Sequence, residues 1–208
     1  MPHTVYLIRH GESELNVHQP VIIGGRSRWC ELTGPGIAQA ETLGRWLGQS
    51  DIAADRIVAS TAVRAQQTAR YALAEAGIPL KRIETFTELE ELDQGDWENE
   101  LREETYTPEV LARINVDNWA FSPPGGESLG ALFARTSAWL DDEVLAGPDG
   151  VTLVFCHGMV IKILLTGLFG FDRRTAWRIP IDNTAINTIV HDGAEWRLVG
   201  QNELPHLS

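Results

Sequence analysis

The chain has 208 residues, and its hydrophobic content of 43% suffices for one domain with a full core. It carries 17 Lys and Arg against 29 Asp and Glu, which gives a formal net charge of −12. This balance argues against a nucleic-acid partner or an anionic membrane, because both bind basic faces. We therefore expect a single domain over residues 1–208 that binds neither.

The two cysteines and the apolar runs bear on the compartment. Cys156 ends an apolar run and is expected to be buried, so we do not predict a disulfide with Cys30. The absence of a disulfide in turn predicts a reducing compartment. The amino terminus lacks a basic region followed by a long apolar stretch, and no apolar run is long enough to cross a bilayer. We expect a cytoplasmic protein. The oligomeric state stays open, with a homodimer as one option.

The first strong signal lies near the amino terminus. Residues 4–8 are β-branched, aromatic and aliphatic, which predicts a buried strand. Arg9 and His10 follow at its carboxyl end, where open α/β sheets bind ligands, and Gly11 permits a tight turn. The arginine fork suits phosphate oxygens, and a histidine beside it can attack phosphorus if its other ring nitrogen is held. Asn16, in the short helical turn that follows, is a further candidate for substrate binding. A strand that simply ends in a surface Arg and His would give the same pattern.

Residues 7–13, with the sequence LIRHGES, resemble the signature of the histidine phosphatase superfamily, which includes the cofactor-dependent phosphoglycerate mutases. In that family a histidine is phosphorylated. The resemblance therefore implies that His10 is the nucleophile and that Arg9 binds phosphate. Such a family predicts further motifs along the chain.

A loop is predicted over residues 18–31, with Pro20, Gly24 and Gly25. In the family the equivalent loop closes over the phosphate pocket, so the resemblance makes both glycines binding candidates. Arg26 and Arg28 follow, and they are consistent either with recognition of a second anionic group or with solvated loop side chains.

The next segments are a helix and a strand–helix unit. Thr33 is a plausible N-cap, and apolar residues at helical spacing follow it. LTGPGIAQA, residues 32–40, matches a segment that is structural in the family. Residues 56–59 predict a strand, and a helix should then run through Glu75. The order of residues from Ser60 to Thr68 resembles the family's SxxxRAxxT motif, which makes Arg64 a second phosphate ligand.

A strand is predicted over residues 83–87, and an acidic stretch, ELEELDQGDWE, follows at 88–98. Such a charge run is by default a solvated face. Here it resembles the family's LxExxxGxWEG segment, which places the general acid at Glu91. Phosphoester cleavage needs such a proton donor for the departing oxygen. Glu88, Glu90 and Asp93 are the alternatives if the register slips.

Residues 101–122 are predicted to form a small helical cap insertion, with Thr107 and Pro108 starting a helix and with Trp119 and Phe121 packed. PPGGES, residues 123–128, then leads into a long helix through residue 145 and matches the family's PGGES element. Glu127 and Ser128 should order this loop. Arg135 should be an ion-pair partner rather than a ligand.

The cleanest strand is predicted over residues 151–155, followed by Cys156, His157 and Gly158 and by a helix over 159–168. This repeats the His-Gly pattern of the first motif and resembles the family's second histidine motif, with Lys162 where arginine is common. Backbone N–H groups at a helix N-terminus favour anions, so His157 and Gly158 are binding candidates and His157 is also a catalytic one. Residues 185–190 and 196–199 predict a terminal hairpin, and Asn183 before it is a weaker candidate for shaping the pocket.

We therefore expect an α/β fold, a three-layer sandwich with a mainly parallel sheet between helices. The resemblance implies phosphomonoester hydrolysis of a small phosphorylated metabolite in two steps through a phosphohistidine. His10 would be the nucleophile, Glu91 the acid and then the base, and Arg9, Arg64 and His157 would hold the phosphoryl oxygens. No metal or other cofactor is expected.

Three alternatives remain open at this point. The nearest is a phosphoglycerate mutase, although such mutases carry a basic insertion, and residues 101–122 contain only Arg102 and Arg113 as cations. A metal-dependent hydrolase could use the two histidines with Glu91 and Asp93. A non-catalytic binder of phosphorylated ligands would usually have lost the nucleophile or the acid.

Overall fold

The computed structural model describes residues 2–18, 21–80 and 83–207; the predicted loop residue Pro20 lies outside these ranges. Six strands form one sheet in the order β3-β2-β4-β1-β5-β6. Their bounds are β1 His3–Arg9, β2 Arg56–Ser60, β3 Ile83–Phe86, β4 Val151–Cys156, β5 Ile186–His191 and β6 Trp196–Glu203.

The sheet is parallel from β3 through β1, and β5 runs antiparallel to both of its neighbours. The predicted α/β fold with a mainly parallel sheet is therefore confirmed, and the terminal hairpin is its antiparallel edge. Each predicted strand is present, and its ends lie within one residue of the prediction for all but one strand. The exception is β6, which extends to Glu203 instead of ending at residue 199.

Helices pack on both faces of this sheet. The helices are α1 Glu14–His18, α2 Gly34–Gln49, α3 Val63–Glu75, α4 Arg102–Thr105, α5 Pro108–Val116, α6 Leu129–Trp139 and α7 Gly158–Phe169. The predicted cap at Thr33 is present, since its Oγ1 accepts a hydrogen bond from the Gly36 N–H at 3.1 Å. The predicted helix through residue 145 continues beyond α6 with wider π-type turns over Leu140–Leu145.

Strand residues alternate between two cores, as the twofold period of a strand requires. Leu7, Val58 and Val154 pack with residues of α6 and α7 on one face. Ile8 and Phe155 pack with residues of α2 and α3 on the other. This three-layer arrangement fixes the strands firmly, so that side chains at their carboxyl ends have defined positions.

The region predicted as an insertion contains α4 and α5, and Thr107 caps α5. Trp119 contacts Phe133, and Phe121 contacts Trp97, so the predicted packing of both aromatic residues is confirmed. Cys30 and Cys156 are free thiols, and Cys156 is buried. None of the helices in the described ranges has the length and apolar character needed to span a lipid bilayer.

Candidate active site

Two histidines meet because their strands are parallel neighbours. Arg9 at the end of β1 lies in register with Cys156 at the end of β4, so the next residues, His10 and His157, leave the sheet side by side. Their rings contact edge to face with centroids 5.2 Å apart. β2 lies on the other side of β4, and Ser60 at its end places Oγ 2.8 Å from Nε2 of His157.

The backbone around His10 holds its imidazole in one orientation. Its Nδ1 lies 2.7 Å from the carbonyl oxygen of Gly11, which can only accept, so Nδ1 carries the proton. Nε2 is then unprotonated, and it accepts a hydrogen bond from Nε of Arg64 at 3.2 Å. Burial, together with the charges of Arg64 and Arg9, lowers the pKa of His10 well below its usual value. The ring is therefore neutral at neutral pH, with a lone pair on Nε2.

The backbone of Gly11 lies close to the backbone at the start of helix α2. A Cβ at Gly11 would lie 2.5 Å from the carbonyl oxygen of Gly36, and a Cβ at Gly36 would lie closer still to the backbone of Glu12. The first turn of α2 thus packs directly on the turn after His10. This accounts for the glycine in the segment that we expected to be structural.

Arg64 is almost fully buried, with 2% of its surface exposed. Besides its contact with His10, its two terminal nitrogens donate to the carbonyl oxygens of Gly25, Arg26 and Ser27 at 3.0 to 3.2 Å. Four of the five guanidinium N–H groups are therefore used within the protein. Arg64 joins the loop that contains Gly25 to the ring of His10.

Arg9 and His157 have donor or acceptor positions that the protein leaves open. Arg9 donates from a terminal nitrogen to the carbonyl oxygen of Ile181 at 2.7 Å. Within the described residues, Nε of Arg9 and Nδ1 of His157 are buried and have no hydrogen-bond partner. Burial, with the charge of Arg64, also lowers the pKa of His157 well below its usual value. Buried polar atoms are normally paired, so these two point to a polar ligand.

Glu91 lies across the cavity from these groups. Its carboxylate accepts from the backbone N–H of Leu92 at 2.8 Å and from that of Met159 at 3.2 Å. Met159 is in the first turn of α7, whose backbone N–H groups we had expected to favour anions. In the structure, the Glu91 carboxylate accepts the hydrogen bond from the Met159 N–H. Gly158 lies beside the Arg9 side chain, and a Cβ there would make an ordinary van der Waals contact with its Nε at 3.5 Å.

The three alternative carboxylates have other surroundings. Glu88 is exposed. Glu90 is buried and receives hydrogen bonds from Arg28 at 2.6 and 2.9 Å and another from the Thr61 hydroxyl. Burial would raise the pKa of Glu90, but the Arg28 and Thr61 hydrogen bonds outweigh it and the pKa is lowered. Asp93 pairs with Arg26 at 3.1 Å. Of the four acidic residues, Glu91 is the one that lines the cavity with His10.

Arg26 and Arg28 pair with carboxylates of the acidic stretch and of Glu127. Arg28 forms the bidentate pair with Glu90, and Arg26 lies within 4 Å of Glu90, Asp93 and Glu127. Both arginines therefore join the loop to carboxylates of the protein, while the Arg28 side chain stays 51% exposed, as expected of a solvated loop arginine. The paired residues are 62 to 101 positions apart, which is why local patterns did not reveal these contacts.

Arg135 also fixes the acidic stretch. It pairs with Glu127 at 2.6 Å and donates to the carbonyl oxygens of Glu88, Glu90 and Glu91 at 2.6 to 3.2 Å. Its predicted role as an ion-pair partner is confirmed. Arg135 thus holds the backbone segment that carries Glu91.

The resulting cavity, the candidate catalytic cavity, has a volume of about 220 Å³. Of the residues predicted for catalysis or substrate binding, it is lined by Arg9, His10, Asn16, Gly24, Gly25, Arg64 and Glu91. His157 is fully buried and packs against the His10 ring without lining the cavity itself. Gly158 is not among the lining residues either. Asn183 does not line the cavity but donates to the His10 carbonyl oxygen at 2.9 Å and to Oδ1 of Asn16 at 3.2 Å.

Comparison with known proteins settles the family. A profile of the histidine phosphatase superfamily (branch 1) matches residues 5–204. The chain belongs to the histidine phosphatase superfamily. It is 32% identical over 184 residues to a 2,3-bisphosphoglycerate-dependent phosphoglycerate mutase from Methylocella silvestris, and the match covers 86% of each chain.

Solved structures of superfamily members have the same fold. Bacillus stearothermophilus YhfR matches with a TM-score of 0.84 and 26% identity, covering 99% of this chain and 100% of that one. The alpha-ribazole phosphatase from Shigella flexneri matches with a TM-score of 0.80 and 26% identity over 96% of each chain. The similar proteins thus include both a mutase and a phosphatase.

Several residues of this superfamily member's cavity were not identified from the sequence. Arg102, Tyr106 and Trp177 form part of the wall, and Lys162 was noted only as a replacement for arginine. Tyr106 and Trp177 lie in short segments without a motif, so no local signal marked them. In the described ranges, no group of three or more His, Cys, Asp or Glu side chains is arranged to hold a metal ion.

Proposed function

We propose that this protein hydrolyses phosphomonoesters of small metabolites through a phosphohistidine formed on Nε2 of His10. The observation that carries the proposal is the state of His10. The Gly11 carbonyl fixes the proton on Nδ1, and Arg9, Arg64 and Glu91 surround the cavity that the ring lines. A neutral imidazole held in this way suits nucleophilic attack on phosphorus.

In the first step, Nε2 of His10 forms a bond to phosphorus as the bond to the ester oxygen breaks. Glu91 gives its proton to that oxygen, and an alcohol leaves. In the second step, a water molecule attacks phosphorus, the nitrogen–phosphorus bond breaks, and Glu91 accepts the proton of the water. Inorganic phosphate is released, and His10 and Glu91 return to their starting states.

The negative charge of the transferring phosphoryl group needs positive partners. Nε of Arg9 is one open donor. The Ser60 Oγ accepts from the Ala62 N–H at 3.2 Å, and its own hydrogen can be donated to Nε2 of His157 at 2.8 Å. The scheme uses this arrangement, in which the His157 proton is on the unpartnered Nδ1. His157 is then a second donor, next to the His10 ring.

Arg64 must change partners for this chemistry to occur. Its Nε bonds to the nitrogen that attacks phosphorus. A bound phosphoryl oxygen would take over that N–H and free the lone pair, while the loop carbonyls hold the rest of the guanidinium in place. The cationic side chains provide the charge stabilisation in this scheme, so the reaction should proceed in the presence of a strong chelator.

A phosphoglycerate mutase is the second candidate, and the identity to mutase relatives favours it. A mutase would need cations to grip the carboxylate of glycerate. Arg102 and Lys162 line the cavity, but Arg102 donates to the Ile22 carbonyl oxygen at 3.2 Å and Lys162 to that of Trp177 at 3.3 Å. Each bond uses only one N–H donor of its side chain, so the preference for hydrolysis rests on the small number of cations in residues 101–122.

Product analysis separates the two activities. The protein is incubated with 3-phosphoglycerate and a trace of 2,3-bisphosphoglycerate, and inorganic phosphate and 2-phosphoglycerate are both measured over time. A panel of other phosphomonoesters, with and without chelator, is run in parallel. Release of phosphate from the panel without isomer interconversion supports the phosphatase. Interconversion that is faster than phosphate release would instead identify a mutase.

A further inference from the structure

We propose that a groove beside the catalytic cavity binds the alcohol part of the substrate, and that this alcohol carries a flat, largely apolar ring system. The inference rests on the proposed function and gives it a substrate class. The groove has a volume of about 810 Å³ and lies between α5 and the turn Arg173–Arg178. Sites for ring-bearing small molecules usually have volumes of this size.

The groove and the catalytic cavity share part of their walls. Arg102, Tyr106 and Trp177 line both. A molecule with its phosphoryl group at His10 can therefore extend past these three side chains without leaving the protein surface. A glycerate-sized alcohol would leave the groove unfilled.

The groove presents apolar surface that a folded protein normally covers. Leu111 is 44% exposed, Val116 87% and Trp177 45%, and all three line it. Apolar side chains gathered around a concavity favour an apolar ligand. Single exposed apolar residues are common on protein surfaces and do not indicate a ligand. These three, however, line one groove, and Trp177 also lines the catalytic cavity.

Planar side chains in the groove wall favour a flat group. The guanidinium of Arg173 lies over the Trp119 ring, with its carbon 4.4 Å from the ring centre. Near the cavity, the guanidinium of Arg102 lies over the Tyr106 ring at 5.5 Å. Planar cations and aromatic rings are surfaces on which another ring can stack. Asn115 and Asn118 add amide groups at the edge, which suits a ring with polar substituents.

The test compares two esters whose leaving groups are both primary alcohols, so that differences in leaving-group chemistry are small. The probes are ethyl phosphate and 2-(2-naphthyl)ethyl phosphate. We expect kcat/KM to be at least about tenfold higher for the naphthyl ester, chiefly through a lower KM, which corresponds to about 1.4 kcal/mol. Equal values for the two esters in the wild-type protein would overturn the inference.

Variants then test whether the preference for the naphthyl ester depends on the groove. Leu111→Asp and Val116→Asp place a charge in the groove at exposed positions, so neither is expected to disturb folding. Each should lower the ratio of the two kcat/KM values several-fold. Leu80→Asp is the matched control, because Leu80 is 47% exposed and is not among the groove residues. A preference that survives both groove variants, or that Leu80→Asp also removes, would contradict the assignment.

A third ester distinguishes failure of this inference from failure of the proposed function. p-Nitrophenyl phosphate needs little help from the alcohol pocket, because its leaving group is good. If it phosphorylates His10 while the two alkyl esters react equally, the groove assignment fails and the phosphatase stands. If none of the three esters phosphorylates His10, the proposed function fails and the inference falls with it.

Discussion

Nε of Arg64 donates a hydrogen bond to Nε2 of His10 across 3.2 Å. The lone pair proposed to attack phosphorus is therefore engaged by the arginine proposed to bind the phosphoryl group. Substrate binding and activation of the nucleophile become one event, because a phosphoryl oxygen that captures the Arg64 N–H also frees the nitrogen. Burial, reinforced by the charge of Arg64, lowers the pKa of His10 and so keeps its ring neutral.

The first prediction concerns Arg64. Arg64→Ala removes a positive charge from both the ground state and the transition state, so KM should rise and kcat should fall, and kcat/KM should drop by about a hundredfold or more. Affinity for vanadate should fall as well. Arg70→Ala is the control, since Arg70 is exposed on the same helix. Vanadate affinity that is unchanged in Arg64→Ala would exclude contact with the phosphoryl group.

The second prediction concerns proton donation by Glu91. A poor leaving group such as an alkyl alcohol needs its oxygen protonated as the bond breaks, whereas p-nitrophenolate needs this far less. In Glu91→Gln, the rate of single-turnover phosphorylation should therefore depend more steeply on leaving-group pKa than in the wild type.

Single turnovers are needed because Glu91 also acts in the dephosphorylation step, which all substrates share. Glu88→Gln, at an exposed position in the same stretch, should behave like the wild type. Parallel slopes for Glu91→Gln and the wild type would reject Glu91 as the acid. Asp93 would then be the next candidate for the acid, and its ion pair with Arg26 would have to break before it could donate a proton.

The third prediction concerns stability and pH. The Thr184 hydroxyl donates to the Asn183 carbonyl oxygen, so Nε2 of His206 must donate to Thr184 Oγ1, which is 2.9 Å away. Within the described residues, Nδ1 of His206 is buried and lacks a partner. Burial lowers the pKa of His206 to about 4, against about 6.5 in an unfolded chain.

The unfolded chain thus binds a proton at this site before the folded protein does. The contribution of His206 to stability is full above about pH 6.5 and is lost as the pH falls towards 4. In urea unfolding, His206→Asn should reduce proton uptake on unfolding by about 0.2 proton at pH 7 and by about 0.9 proton at pH 5. His18→Asn, at an exposed position, serves as the control. If the free energy of unfolding of His206→Asn depended on pH as steeply as that of the wild type, His206 would not be a neutral buried ring.

The meeting of His10 and His157 could be predicted because it depends on local patterns and one general rule. Each residue follows an apolar strand, and parallel strands bring their carboxyl ends to one edge of the sheet. Arg64 could be predicted for a similar reason, since it lies in the first turn of the helix after β2. Most of the fold and the centre of the site could therefore be predicted from hydrophobic periodicity and from the motifs at the strand ends.

The remaining features depend on contacts between distant segments. Arg28 bonds to Glu90 across 62 positions, and neither residue type predicts the other. Tyr106 and Trp177 come together at the cavity from segments about seventy residues apart. Such pairings follow from how the loops pack on the finished sheet, so a single sequence gave no signal for them.

The most direct test of the account is to trap the phosphoryl group on His10. Wild-type protein is incubated briefly with a ³²P-labelled phosphomonoester and quenched in base, since phosphohistidine is labile in acid. We expect label that survives base, is lost in acid and maps to a peptide containing His10. Arg70→Ala should label like the wild type, and His10→Ala should fold but take up no label. Labelling that persists in His10→Ala would contradict the central claim.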